Sequence, residues 1–195
     1  DMNQEISAFT VVPRITEFVC EWSERTNIYD VWPKLVNDEN RNNLIVEDII
    51  HAIDAGRFPI ILTERRGHLE LLANMLKGTI ERLAVLHGGV KTKKRKEILQ
   101  ELAHSSQDKK KAILSTGAYI GEGFDDPRLD TLFITMPISF KGKLVQYAGR
   151  LHRDYPGKKD VQIYDYVDKE VSVLWNMHRK RLKTYKNFGY FVKEG

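Results

Sequence analysis

The chain has 195 residues, 42% hydrophobic and 30% charged, with a net charge of +4, the composition of a soluble globular domain with a real core. It has no apolar run long enough to span a bilayer and no signal-peptide pattern. Cys20 is the single cysteine, which excludes a disulfide within the chain and any zinc or iron–sulfur ligand spacing. A cytosolic setting is the expectation, and the mild positive charge favours a polyanionic partner. The start, Asp1-Met2, reads as a piece of a longer protein.

Residues 1–36 hold Pro13, Pro33 and two of the three tryptophans without sustained periodicity. They are expected to form a connecting segment, a short strand or extended stretch followed by a helix. The domain proper is expected over 37–195. Leu44, Ile45, Ile49, Ala52 and Ile53 recur at three- and four-residue spacings and predict a helix over 37–56, with Gly56 as its stop. Phe58 to Thr63 is a short apolar run that suits a buried strand, followed by a helix through Leu69, Leu72 and Leu76. The alternation repeats. Strands are expected at 82–86, 111–115, 129–136 and 161–166, and helices at 91–103, 143–153 and 170–187. Strands separated by helix-length crossovers predict an α/β fold: a three-layer parallel sheet with helices on both faces, where ligands bind at the carboxyl edge.

Two segments carry chemistry. In Gln146-Tyr147-Ala148-Gly149-Arg150-Leu151-His152-Arg153, the expected helix would set Arg150 and Arg153 on one face. Their guanidiniums keep their charge at any working pH and match phosphate oxygens. An isolated pair of this kind is more often a solvated surface pair, and the context decides. The other segment, Thr116 to Pro127, follows a strand and holds Gly117, Gly121 and Gly123. Such a loop allows close backbone approach and exposes amides to phosphate oxygens, or merely turns the chain. Asp125 is placed to accept from a ribose hydroxyl. The phosphate-binding pattern G-x-x-x-x-G-K-[ST] is absent from the sequence.

Taken in order, Thr63-Glu64-Arg65 after a strand, His87-Gly88-Gly89, the TGAYIGEGFDDP loop and the QYAGRLHR segment resemble the second RecA-like domain of superfamily 2 DEAD/DEAH-type helicases. The loop is similar to their motif V and the arginine segment to their motif VI, over roughly residues 40–190. The likeness is nearest to restriction-enzyme translocating subunits and Res-type bacterial helicases. It implies a RecA-like fold and a DNA helicase or translocase, with RNA as the alternative. Arg150 and Arg153 would be arginine fingers toward the ATP γ-phosphate, with Gln146, Gly149, Gly123 and Asp125 also at the nucleotide. Thr63, Arg65, His87, Gly88, Thr116 and Gly117 would hold the nucleic-acid backbone, a contact that positions a strand without reading it. ATP and Mg2+ would be held mainly by a first RecA-like domain that this sequence lacks. The fragment alone would then be inactive. A non-catalytic binding module with a helicase fold is the rival reading.

The remaining signals are weaker. The basic run Lys91 to Lys96 opens a helix and reads as a solvated face before a nucleic-acid patch. His178, Arg179, Lys180, Arg181 and Lys183 on the last helix offer a further basic surface. His152 lacks a partner carboxylate or serine at motif spacing and reads as packing or a hydrogen bond.

Overall fold

The computed structural model describes residues 5–119, 125–138 and 141–194. Seven strands among these residues form one sheet: β1 Ala8–Ile15, β2 Pro59–Thr63, β3 Arg82–Leu86, β4 Lys111–Thr116, β5 Thr131–Ile134, β6 Asp160–Val167 and β7 Phe191–Val192. Their order is β3-β4-β2-β5-β6-β1-β7, and every pairing is parallel. The helices are α1 Ile28–Val36, α2 Glu39–Asp54, α3 Arg66–Leu76, α4 Thr92–His104, α5 Lys141–Gly149 and α6 Ser172–Asn187.

The central strand shows why the sequence gives this arrangement. Alternate side chains of a strand point to opposite faces, and β2 is buried along its whole length. Ile60 and Leu62 enter the core formed with α4, α5 and α6, which includes Leu102, Leu144, Ala148 and Tyr185. Ile61 enters the other core, beneath α2 and α3, with Ile45, Ile49, Leu69 and Leu72. A sheet covered on both faces needs such unbroken apolar strands. The helix boundaries follow from local chemistry as well. Asp38 caps α2 by accepting from the Arg41 amide at 2.8 Å. Gly56, at φ +83°, turns the chain out of α2 into β2.

Residues 1–36, expected to connect, supply a full strand to the same sheet. β1 pairs with β6 over eight residues, from Ala8 with Asp160 to Ile15 with Val167. The helix α1 packs through Val31 and Leu35 on Phe18, Val171 and Leu174. The short β7 was not anticipated; it closes against β1 at Thr10 and Val11.

Two buried ion pairs fasten helices to strand ends. Arg41 of α2 donates to both carboxylate oxygens of Asp168, at 2.9 and 3.2 Å, and to the Thr135 carbonyl at 2.6 Å. Asp165 of β6 accepts from Arg181 of α6 at 2.7 and 2.8 Å and also binds His178 and Tyr185. This removes His178 and Arg181 from the further basic surface offered by the last helix. His178 and Arg181 are buried, whereas Arg179, Lys180 and Lys183 face solvent. On the same helix Tyr185 is buried in the core, whereas Trp175 keeps 38% of its surface exposed.

Burial alone would raise the Asp165 carboxyl, but the Arg181 guanidinium and His178 outweigh it and hold the group well below the usual carboxylate range. A depressed carboxyl contributes stability above its unfolded pKa, about 4, and that contribution is lost as pH falls below it. We expect Asp165→Asn to lose about 3–5 kcal/mol of unfolding free energy at neutral pH, because it leaves Arg181 buried without its counter-charge. Urea unfolding at pH 7 checks this, and an unchanged midpoint contradicts it.

Candidate nucleotide and nucleic-acid surfaces

Because the strands are parallel, every segment that follows a strand lies at the carboxyl edge. Thr63 and Arg65 at the end of β2, His87 and Gly88 after β3, and Thr116 and Gly117 at the end of β4 therefore gather along one edge. Arg65 and His87 are partly exposed and Gly88 is exposed. The turns touch one another. A Cβ on Gly88 would sit 2.8 Å from the Tyr119 hydroxyl, and one on Gly89 would sit 3.1 Å from the Arg66 guanidinium. Tyr119 ends a single 3-10 turn, Gly117–Tyr119. Its ring lies 5.2 Å from the Arg95 guanidinium of α4, a cation–π contact. Tyr119 thus rests on one candidate loop while belonging to the next.

Thr63 is corrected as a side-chain contact. It is 1% exposed, and its hydroxyl lies 2.8 Å from His68 Nδ1. The Asn42 amide nitrogen donates to the Val36 carbonyl, so its oxygen faces His68 Nε2 at 2.8 Å. Nε2 therefore donates and Nδ1 accepts the Thr63 hydroxyl. Burial, helped by Arg41, pushes His68 down to about 3, so the ring stays neutral at working pH. This chain of hydrogen bonds anchors the end of β2 to α2 and α3.

The arginine segment is also placed differently from expectation. α5 stops at Gly149. The chain then continues through three-residue turns, with amide bonds from Arg150 to Tyr147, Leu151 to Ala148 and His152 to Gly149. Arg150 and Arg153 consequently follow a helix C-terminus rather than sharing a helical face. Their positive charge suits that end of the dipole. Leu151 between them is fully buried and fixes the turn. α5 crosses back toward the start of β6, so the chain leaves the carboxyl edge beyond Gly149, while the Arg150 guanidinium still acts on Tyr147 together with Glu64. Arg153 forms an ion pair with Asp125, both groups being largely exposed. Gln146 and Gly149 are exposed, and Arg150 is half-buried. A Cβ added at Gly149 meets nothing within 4 Å among the described residues. Gly123 lies outside the described residues.

The helix that carries these groups joins the two regions. Its Lys143 ammonium is 3.7 Å from Glu64 at the carboxyl edge. One turn on, Tyr147 lies over Gly117, where any Cβ would meet the phenol hydroxyl and come within 2.9 Å of Cζ. Burial and the Glu64 carboxylate raise the Tyr147 phenol, with Arg150 opposing, so all three groups share one electrostatic environment. His152 binds the Tyr190 hydroxyl at 2.7 Å and meets Phe9 edge-on, which is a packing role. The roles of Tyr147 and Tyr119 were missed in the sequence; both are aromatic residues standing beside motif glycines, and only the fold brings the rings onto them. The run from Lys91 to Lys94 and Lys96 is exposed.

The family described as the helicase conserved C-terminal domain matches residues 41–155. The chain is similar to the transcript termination protein A18 of fowlpox virus (strain NVSL), 27% identical over 176 residues, covering 87% of this chain and 37% of the viral protein. It is also similar to a putative helicase, 161L, of invertebrate iridescent virus 6, 33% identical over 175 residues, covering 83% of this chain and 38% of that one. The chain thus spans little more than a third of the length of these relatives. Among solved structures, T4 UvsW superposes with a TM-score of 0.73 at 15% identity, covering 95% of this chain and 41% of that one. The C-terminal domain of the DEAD-box protein Dbp5 superposes with a TM-score of 0.64 at 15% identity, covering 96% and 89%. At these identities the likeness is one of fold, and it agrees with the expected RecA-like sheet.

The contact between α5 and the loop after β4 can be tested directly. Gly117→Ala is expected to destabilise the chain by about 1–3 kcal/mol, as overpacking does. Adding Tyr147→Phe should return part of the loss. Chemical unfolding of the single and double variants decides the point, and an alanine tolerated at no loss would mean that Tyr147 is not held against Gly117.

Proposed function

The chain belongs to the helicase conserved C-terminal domain family, and from that premise we propose that it is the second motor domain of an ATP-dependent nucleic-acid helicase or translocase. In this reading a separate RecA-like domain binds ATP and Mg2+. This domain closes on it, bringing Arg150 and Arg153 to the γ-phosphate, where their charge offsets that developing in the transition state. Gln146, Gly149 and Gly123 would line the same cleft. The edge formed by Arg65, His87, Gly88, Thr116 and Gly117 would hold the strand's phosphates.

The observation that carries the proposal is the bridge made by α5. The same short helix ends at the arginines and presses Tyr147 on Gly117, so movement at the nucleotide reaches the strand-holding edge through one rigid element. The Arg153–Asp125 pair fits a changing partner. An exposed ion pair contributes only about 0–1 kcal/mol, so exchanging the carboxylate for a phosphate costs little. It would also release Asp125 toward a ribose hydroxyl.

DNA is proposed as the substrate ahead of RNA, on the resemblance to restriction-type motors. Dbp5 has been solved bound to RNA and ADP BeF3, which makes RNA the alternative to test beside it. The experiment is strand-stimulated ATP hydrolysis by the complete two-domain protein, with oligo-dT and oligo-U in parallel. Arg150→Ala or Arg153→Ala should lower turnover by about a hundredfold or more with nucleotide affinity much less affected. Near-normal turnover in both variants would reject the finger assignment, and stimulation by oligo-U alone would reject the DNA preference.

A further inference from the structure

The turn that carries the arginines has a problem of its own. The carbonyls of Tyr147, Ala148 and Gly149 at the end of α5 are met by the amides of Arg150, Leu151 and His152, but the carbonyls beyond them have no helix to join. A single side chain answers this. Lys158 donates from Nζ to the carbonyls of Leu151 at 2.5 Å, Arg153 at 2.7 Å and Pro127 at 3.1 Å. The first two carbonyls belong to the arginine segment. The third follows Asp125, the ion-pair partner of Arg153. Lys158 reaches them because Gly157, at φ +85°, folds the chain back in a turn closed by the Lys158 amide on the Tyr155 carbonyl at 2.9 Å.

We propose that Lys158 is a positioning residue for the arginines, its buried ammonium clasping the arginine segment to the Asp125–Pro127 segment so that Arg150 and Arg153 are presented in one fixed geometry. The inference rests on the finger reading of those two arginines. Lys158 is 7% exposed, and a buried lysine is retained against a substantial desolvation penalty. Three ammonium donors match three carbonyls, with none left over. Burial lowers its pKa to about 8, with Arg57 acting in the same sense and Asp130, Asp154 and Asp126 opposing, so it remains charged at neutral pH. Such a residue touches neither nucleotide nor strand in this reading, yet an ångström of looseness at a finger is enough to lower turnover by about a hundredfold.

The test uses the complete two-domain protein, with ATP and saturating oligo-dT or oligo-U. Lys158→Met keeps the stem and removes the donors; Lys158→Gln restores two of them. The Met variant should lower kcat about tenfold or more while KM for ATP stays within about threefold, and Gln should recover part of the loss. Purely structural damage would not show that split or that rescue. A folded Met variant with kcat within twofold of wild type overturns the proposal. If Met does not fold, Gln decides: reduced kcat at unchanged KM supports it, and unchanged kcat overturns it. Arg150→Ala and Arg153→Ala in the same assay separate the two ideas. If they abolish turnover while the Lys158 variants do not, the finger reading stands and the positioning role falls. If they retain turnover, both fall, whatever Lys158 does.

Discussion

A parallel sheet obliges each crossover to carry the chain from one edge of the sheet back to the other, and α5 meets that obligation between β5 and β6. Its start stands at the carboxyl edge beside Glu64. Its middle presses on Gly117, and its end releases the arginine segment. The order in which α5 meets the candidate strand-holding edge and then the candidate nucleotide groups is therefore a consequence of sheet topology. So is their coupling, because one helix of nine residues touches both.

Buried polar clusters keep that frame rigid. Arg41 and Asp168 join α2 to the ends of β5 and β6, Asp165 holds α6, and the Thr63–His68–Asn42 chain holds the end of β2. Each is nearly closed internally, which is the condition under which buried polar groups specify structure rather than weaken it. Lys158 belongs to the same class, although it restrains a turn rather than a helix. The exposed Arg153–Asp125 pair is the contrast. Solvent screens it, and it is free to exchange partners where the buried pairs are not.

Much of the fold was legible from periodicity. β3 runs over the residues expected, Arg82–Leu86, and α2 stops before Gly56 as its pattern indicated. Short apolar runs such as Pro59–Thr63 could only be buried strands in a chain so regularly interrupted by helices. What could not be read depends on distant partners. Nothing local to Ala8–Ile15 says that it pairs with a strand about 150 residues later. The end of α5 was placed four residues too late because Leu151 continues the helical spacing, whereas its burial in a tight turn is decided by the packed sheet. Thr63 looked like a polar group at a ligand edge, and the imidazole that takes its hydroxyl is visible only in three dimensions. The candidate residues were found as motifs; the contacts that join them, Tyr147 on Gly117 and Tyr119 on Gly88, were not.

The central claim is that this domain supplies charge to a nucleotide bound elsewhere. It is tested most directly by the structure of the complete protein with ADP, beryllium fluoride, Mg2+ and a single strand. The expected result places the Arg150 or Arg153 guanidinium within about 3 Å of the fluoride group, as a charge-assisted hydrogen bond requires, with Arg153 released from Asp125. A closed complex in which both guanidiniums point to solvent, with the terminal group neutralised wholly by the other domain, would contradict it.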